Sequence, residues 1–282
     1  MLFPYAGLTK KALDMYLSDI EKSDMPNESK LIAVLSAKKT IRKLKNQKNI
    51  VDIAINNAKD GTDFTRQSKV DADWFERFMD SAGFVSSDDL QQIWGKILSK
   101  EFENPGSTPS SMIRILTEIT SACAQAFRKI CSMQSVIVEI NENGELTKAS
   151  QKIIVPLSHN HTKFSKDGLS LSILNELEIL GLVKFDPLAD YQMEGDMEPT
   201  ILIYSENKTD VIIKRTANSL PIGNILLTAA GECLKSITPL ENIPDYNSMV
   251  KKYMMKQGVE FMNEPNYKIF KNGNEVRVTK SI

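Results

Sequence analysis

The sequence has little cysteine, few aromatic residues and no long apolar run. Its 282 residues include three cysteines and no Cys-x-x-Cys pair, which argues against a disulfide framework or a cysteine-based zinc site and fits a reducing cytoplasm. No stretch approaches the roughly 18 consecutive apolar residues that a membrane-spanning helix needs. The first residues, Met1 to Tyr5, lack the basic start and apolar run of a secretory signal. We therefore expect a cytoplasmic protein with no membrane partner.

Net charge is also small. Lysine and arginine total 35 against 36 acidic residues, and 41% of the residues are apolar. This is the composition of an ordinary globular protein. The near-zero net charge excludes a strong overall attraction to nucleic acid or to an acidic membrane. A charged partner must therefore be argued from local clusters.

Motifs for common catalytic chemistry are missing from the sequence. It has no G-x-x-x-x-G-K-[ST], no G-x-G-x-x-G and no G-x-S-x-G, the patterns of phosphate loops, dinucleotide-binding turns and serine hydrolases. We predict no catalytic residue, no metal site and no cofactor.

Two weaker patterns keep metal chemistry open as an alternative. His159 and His161 would bind a metal only if a third ligand came from elsewhere, and Asp167 is the nearest candidate. Glu206 and Lys208 resemble the acidic-x-Lys element of metal-dependent nucleases. However, the polar residues around them indicate a turn, whereas such a site needs a buried strand. Both patterns favour solvent-facing segments over a metal site.

The sequence predicts an α+β protein that is mainly α: a helical N-terminal half followed by a winged-helix-like C-terminal half with inserted β-hairpins. Apolar residues recur at helical spacing from Thr9 to Lys22 and from Asn27 to Ala58, and most regularly from Leu90 to Leu98. We divide the chain into four segments. They are N-terminal helices with a long basic helix (1–66), a helical core unit (67–134), a winged-helix-like domain with an acidic insertion (135–240), and a C-terminal helix and hairpin (241–282).

The winged-helix prediction depends on the order of elements after residue 135. The β-branched runs Ser135–Ile140 and Lys152–Leu157 indicate strands. A helix then ends at Gly181, a strand follows at Val183, and a later strand enters a helix that Thr228 caps. A helix ending in L-G-L-V, a β-ribbon and an L-T-x-x-G element occur in this order in winged-helix domains, where the ribbon is the wing.

The long second helix carries a basic cluster. It has seven basic residues and no acidic residue between Lys30 and Ile50. Such a cluster would attract a phosphate backbone in a salt-sensitive manner. Because interleaved aromatic residues and a glycine-rich loop are missing, a solvated helix face is the alternative. The candidate residues for binding nucleic acid or another anion, here called the basic face, are Lys38, Lys39, Arg42, Lys43, Lys45 and Lys48.

The predicted winged-helix domain is acidic. From Asp167 to Glu206 it has nine acidic residues and one base, Lys184. A DNA-reading helix uses Arg, Lys, Asn or Gln, whereas this helix presents mainly serine and glutamate. Because such a surface repels phosphates, we expect it to bind a protein. The residues of this acidic surface are Glu176, Glu178, Asp186, Asp190, Glu194, Asp196 and Glu198.

The basic face and the acidic surface have opposite charges. They would attract each other within one chain or between copies, and two independently solvated patches are the alternative. We therefore expect a protein partner, with a second copy of the chain as one candidate. Nucleic acid is expected only at the basic face.

Short motifs in the middle of the chain resemble one family. They are Asp71-Ala72-Asp73-Trp74, the run from Gln91 to Leu98 with Trp94-Gly95, then Glu101, and the turn Pro105-Gly106-Ser107. With Gln47-Lys48-Asn49-Ile50 and the two winged-helix elements, they are similar to an uncharacterised family of bacterial proteins akin to the abortive-infection alpha proteins. The resemblance spans roughly residues 40–235, with departures at Pro109 and in the acidic insertion. It implies a cytoplasmic bacterial protein linked to phage defence and brings no known catalytic residues.

These observations together predict a non-enzymatic bacterial protein-interaction module that acts in phage defence or abortive infection. Trp74, Trp94 and Gly95 are expected to be structural, with Gly95 allowing two helices to approach closely. The first alternative is a nucleic-acid-binding protein or regulator that uses the basic face. The second is a metal-dependent nuclease that uses Glu206 and Lys208.

Overall fold

A computed structural model describes residues 10–59, 62, 70–140, 146–154, 167–194, 200–204, 210–214, 219–261, 267–272 and 275–280. The chain divides into two compact units, residues 1–117 and 118–282. More of the described residues lie in helices than in strands. This confirms the predicted α+β class with a mainly helical content. The division into four segments stays a prediction.

Unit 1 is helical in its described part. Its helices agree closely with the bounds that apolar periodicity predicts. None of the helices in the described residues of either unit is both long and apolar enough to cross a membrane. The helices of unit 1 are α1 (Lys10–Lys22), α2 (Asn27–Asn57), α3 (Ala72–Ala82), α4 (Asp88–Glu103) and α5 (Met112–Glu118), the last of which ends at the unit boundary.

The core of unit 1 is built around two tryptophans. The Trp74 and Phe78 rings are stacked with their centroids 4.9 Å apart, and the Phe78 and Trp94 centroids are 4.8 Å apart. Helix α2 packs against α4 where Gly95 faces Ile53. A Cβ atom added to Gly95 would lie 2.4 Å from Cγ2 of Ile53 and 3.0 Å from the carbonyl oxygen of Ile50. Gly95 is therefore structural, because only glycine permits this approach without a shift of the neighbouring atoms.

Unit 2 combines helices with antiparallel sheets. The helices of this unit are α6 (Ser121–Ser132), α7 (Leu171–Leu180), α8 (Ala229–Lys235) and α9 (Tyr246–Lys256). The strands are β1 (Gln134–Ile140), β2 (Leu146–Ile154), β3 (Val183–Phe185), β4 (Tyr191–Glu194), β5 (Thr200–Tyr204), β6 (Asp210–Lys214), β7 (Ser219–Gly223), β8 (Ile225–Leu227), β9 (Glu260–Phe261), β10 (Tyr267–Asn272) and β11 (Glu275–Lys280). A seven-stranded sheet has the order β3-β8-β2-β1-β5-β6-β9, and β4–β7 and β10–β11 form two-stranded ribbons.

Apart from the two-residue β9, which was not predicted from the sequence, the strands depart from the predictions in two places. β2 begins at Leu146, six residues before the predicted start, because its polar first half pairs with β1 from Leu146 opposite Ile140 to Ile154 opposite Gln134. β4 and β7 were not predicted from the sequence. They pair with each other, and Pro221 of β7 is tolerated because their ribbon has only two strands. In both places cross-strand pairing decides the structure more than local propensity does.

The link between α7 and β3 is fixed by two predicted caps. Gly181 ends α7 in the left-handed conformation, with φ of 82°, and the N–H of Leu182 donates to the carbonyl oxygen of Leu177 at 3.0 Å. The Thr228 hydroxyl accepts from the N–H of Gly231 at 3.0 Å and donates to the carbonyl oxygen of Gly181 at 2.6 Å. Because β3 pairs with β8, these caps hold α7 and α8 at the same end of the two strands.

Candidate interaction surfaces

Helix α7 presents an acidic and apolar face to solvent. Its buried positions are the leucines at 174, 177 and 180, whereas Ile179 is 76% exposed and Leu171 is 52% exposed. Glu176 and Glu178 are also exposed and lie at the two edges of this face, because residues two apart point in nearly opposite directions from a helix. The exposed residues, here called the outer face of α7, are Leu171, Ser172, Asn175, Glu176, Glu178 and Ile179.

Both glutamates of this face are anchored by hydrogen bonds within unit 2. The carboxylate of Glu176 accepts from Sγ of Cys123 at 3.1 Å, and that of Glu178 accepts from the N–H of Phe185 at 3.2 Å. Burial raises the pKa of the Cys123 thiol, and Glu176 raises it further, against an opposing hydrogen bond from Thr120. These hydrogen bonds therefore hold both glutamate side chains in place, although both residues are exposed.

Asp186 and Asp190 have local structural roles. The Asp186 carboxylate accepts from the N–H groups of Leu188, at 2.8 Å, and Ala189, at 3.0 Å, and the resulting turn leaves Leu188 94% exposed. The Asp190 carboxylate accepts from the hydroxyl of Tyr253. Burial, followed by the charges of Asp186 and Glu178, raises the pKa of Tyr191. This end of the acidic surface thus continues the negative charge of α7.

Some predicted residues cannot be placed. Glu194 ends β4, and Asp196 and Glu198 lie outside the described residues. The metal candidates, namely the histidines at 159 and 161 with Glu206 and Lys208, also lie outside them, so the nuclease alternative stays a prediction. Asp167 is described and exposed, and its carbonyl oxygen accepts from Nζ of Lys129. No group of three metal-ligating side chains occurs within the described ranges.

The structure separates the basic face into two sets. Nζ of Lys43 lies 2.8 Å from Asp80 and 5.5 Å from the centroid of the Phe84 ring, while Lys48 pairs with Asp52 one turn further along α2. Lys43 is half-buried in its contacts, whereas Lys48 is exposed and forms a surface ion pair. The remaining four are exposed, and we call them the exposed basic cluster: Lys38, Lys39, Arg42 and Lys45.

The motifs that carry the family resemblance form buried polar contacts. The side-chain amide of Gln91 donates to the carbonyl oxygen of Val85 at 2.8 Å and to Oδ1 of Asn46 at 3.3 Å. Asn46 in turn donates to the carbonyl oxygen of Gly83 at 2.9 Å, and Asn49 donates to Oε1 of Gln91 at 3.3 Å. This network ties the connection between α3 and α4 to α2, so these residues shape the fold.

The carboxylates of two more motif residues accept hydrogen bonds from backbone N–H groups. Asp71 caps α3 by accepting from the N–H of Trp74 at 2.7 Å. Glu101 is only 2% exposed, and its carboxylate accepts from the N–H groups of Gly106 at 2.6 Å and Thr108 at 2.9 Å. The Pro105-Gly106-Ser107 turn is therefore folded around a buried carboxylate.

Residues 35–251 match the model of a protein family of unknown function, DUF2806. The chain belongs to this family. The match confirms the predicted membership of an uncharacterised family, and it includes α7 and most of α2. No curated protein and no solved structure matches the chain. Because the DUF2806 match begins at Leu35, helix α1 and the first turns of α2 lie outside the matched residues.

Sequence reasoning missed the exposed apolar side chains of unit 2. Leu171 and Ile179 are eight residues apart, which places them on one side of a helix, away from the buried leucines of α7. This signal was present in the sequence, but a helix that is apolar on several sides does not show which side is buried. The exposure of Leu188 could not be predicted from the sequence, because it depends on the turn at Asp186.

Proposed function

We propose that this DUF2806 protein is a non-enzymatic protein-interaction module that binds a protein partner through the outer face of α7. The observation that carries the proposal is the joint exposure of Leu171 and Ile179 beside Glu176 and Glu178. Apolar side chains surrounded by polar and charged ones are typical of protein-binding surfaces. The partner that fits best offers an apolar pocket with basic residues at its rim.

The region around α7 is proposed to be a winged-helix-like domain. The order of α7, the Gly181 cap, β3, β8 and the Thr228-capped α8 supports this assignment. In such a domain α7 would occupy the place of a recognition helix. Its sequence, LSILNELEIL, has two glutamates and no arginine or lysine. Binding to DNA depends on cations that neutralise phosphates, so the charge of α7 favours a protein partner.

Affinity capture of the tagged full-length chain tests the proposal. The wild type is compared with a Glu176→Lys/Ile179→Lys variant and with a Met255→Lys control, which changes an exposed side chain of α9. We expect one protein to co-purify in stoichiometric amount with the wild type and the control, and to be lost with the double variant. Equal recovery with the double variant, or no stoichiometric protein from infected or uninfected cells, would contradict the proposal.

The resemblance to bacterial proteins akin to the abortive-infection alpha proteins supports a role in phage defence. If the partner is engaged through α7, wild-type protein should lower the plating efficiency of at least one phage. The Glu176→Lys/Ile179→Lys variant, expressed at the same level, should not. Equal protection by both proteins would show that a role in defence does not depend on the outer face of α7.

The second candidate function is nucleic-acid binding by the exposed basic cluster. It is favoured by four exposed bases within about two turns of α2. Fluorescence anisotropy with a labelled duplex tests it, because about four phosphate contacts predict a steep loss of affinity with added salt. Binding should disappear when all four bases are replaced by alanine and persist in the exposed control Lys252→Ala. Weak binding without salt dependence would eliminate this candidate.

A further inference from the structure

The N-terminal half of α2 carries apolar side chains that face solvent. Leu31 is 59% exposed, Ile32 is 61% exposed and Leu35 is 58% exposed. Met15 and Tyr16 of α1 are also exposed. Helix α1 packs against α2, so the two consecutive helices form a hairpin in unit 1. A cluster of exposed apolar side chains of this kind marks an interaction site.

The same side of α2 is buried further along the helix. Leu35 precedes Asn46 by eleven residues, and Lys39 precedes Ile50 by eleven residues, which is close to three full turns. Asn46 and Ile50 are buried in the half of the helix that packs in the core of unit 1. Helix α2 therefore extends beyond the elements that bury this side in its C-terminal half.

Acidic, apolar and basic side chains follow one another in that order along one side of α2. Glu28, Leu31, Leu35, Lys38 and Arg42 follow one another at alternating spacings of three and four residues, the spacing of a coiled-coil seam. These five residues, here called the stripe of α2, are one acidic, two apolar and two basic residues in that order. The preceding residues add exposed acids, namely Asp19 and Glu21 in the last turns of α1 and Asp24 in the connection to α2.

We propose that this stripe is an interface for a second copy of the chain, with the two α2 helices antiparallel about a two-fold axis that passes near Ala33. This axis lies midway between Leu31 and Leu35 and also midway between Glu28 and Lys38. Leu31 of each copy then meets Leu35 of the other, and Glu28 of each copy meets Lys38 of the other. Each contact occurs twice, as a symmetric dimer requires.

The charge pattern selects this arrangement over a parallel one. Parallel helices in register would place Glu28 against Glu28 and Lys38 against Lys38, and like charges in such positions disfavour association. The stripe from Glu28 to Arg42 is only about 21 Å long. A short interface of this kind predicts a reversible dimer. The interface is separate from the outer face of α7, so it does not depend on the proposed function.

Sedimentation velocity of the full-length chain, from about 1 to about 100 µM, tests the interface. The wild type should pass from monomer to dimer over this range. Leu31→Ser/Leu35→Ser should weaken the dimer at least about tenfold. The control Ile55→Ser changes an exposed side chain in the other half of α2 and should dimerise as the wild type does. Because the replaced leucines are exposed, unchanged far-ultraviolet circular dichroism is expected for both variants.

A charge exchange tests the antiparallel register. Glu28→Lys alone and Lys38→Glu alone should each weaken self-association, because each places like charges opposite one another twice. An equimolar mixture of the two variants should form a mixed dimer, because both opposite-charge contacts are restored. A wild type that stays monomeric at the highest concentration, a serine variant that still dimerises, or a mixture that associates no better than its components would overturn the proposal.

Discussion

At the residue scale, Glu101 illustrates how residues of the family motifs stabilise the fold. A carboxylate that is 2% exposed is costly unless hydrogen bonds compensate for its lost hydration. Here the two N–H groups of the turn at Gly106 and Thr108 supply that compensation. The acid and the Pro-Gly turn therefore depend on each other, which explains their presence together in one motif.

We predict that Glu101→Gln lowers the free energy of unfolding by about 1–3 kcal/mol, because an amide replaces one carboxylate oxygen with an N–H₂ donor that faces another donor. Urea denaturation of the two proteins measures the difference. The control Glu76→Gln changes an exposed residue of α3 and should stay within about 0.5 kcal/mol of the wild type. Equal midpoints for Glu101→Gln and the wild type would contradict this role.

The cysteines give a second prediction at this scale. All three are buried, and none of them forms a disulfide bond. Burial raises the pKa of Cys131 to about 12 and also raises that of Cys123. Both should therefore be neutral thiols at pH 8 and react slowly with a disulfide reagent, whereas denatured protein should react at once. Rapid reaction of these two thiols in the native protein would disagree with their burial.

Because the pKa of Cys131 is raised, the stability of the protein should depend on pH. A folded-state pKa that is raised above its unfolded value means that the unfolded chain loses its proton first. The contribution of Cys131 to stability is therefore complete below the ordinary pKa of 9.0 and declines as the pH rises above it. Cys131→Ala should remove this part of the decline when unfolding is measured from pH 8 to pH 11, and an unchanged decline would contradict the assignment.

At the scale of elements, the contact of α2 with α4 depends on one missing side chain. Gly95→Ala would place a Cβ within 2.4 Å of Ile53 and force the two helices apart. We expect a loss of about 1–3 kcal/mol from overpacking, although alanine favours a helix more than glycine does. Thermal unfolding measures the loss, with Gln92→Ala on the exposed side of α4 as the control. A Gly95→Ala protein as stable as the wild type would show that the helices can separate freely.

The elements also show how far the sequence predicts this fold. The bounds of α2 and α4 follow from local signals, because each helix has a buried stripe and a proline lies beside one of its ends, Pro26 before α2 and Pro105 after α4. The caps at Gly181 and Thr228 were predicted for the same reason. The early start of β2 and the pairing of β4 with β7 were not, because they depend on partners distant in the chain. Likewise, the sequence identified Lys43 as part of the basic face but could not show its contact with Asp80.

At the scale of the whole molecule, each unit carries a different candidate surface. Unit 1 presents the exposed basic cluster and the stripe of α2, and unit 2 presents the outer face of α7. The attraction between basic and acidic surfaces that the sequence suggested stays a prediction. The DUF2806 match includes α7 and the part of the stripe from Leu35 to Arg42, whereas Glu28 and Leu31 lie before it.

The most direct measurement of what α7 contacts is site-specific photocrosslinking in cells. A benzophenone amino acid is placed at position 179 in the full-length chain and, as the control, at position 255, which is also exposed. We predict a protein adduct from position 179 that is missing from position 255. An adduct with nucleic acid at position 179, or no adduct there in infected or uninfected cells, would contradict the proposal that α7 binds a protein.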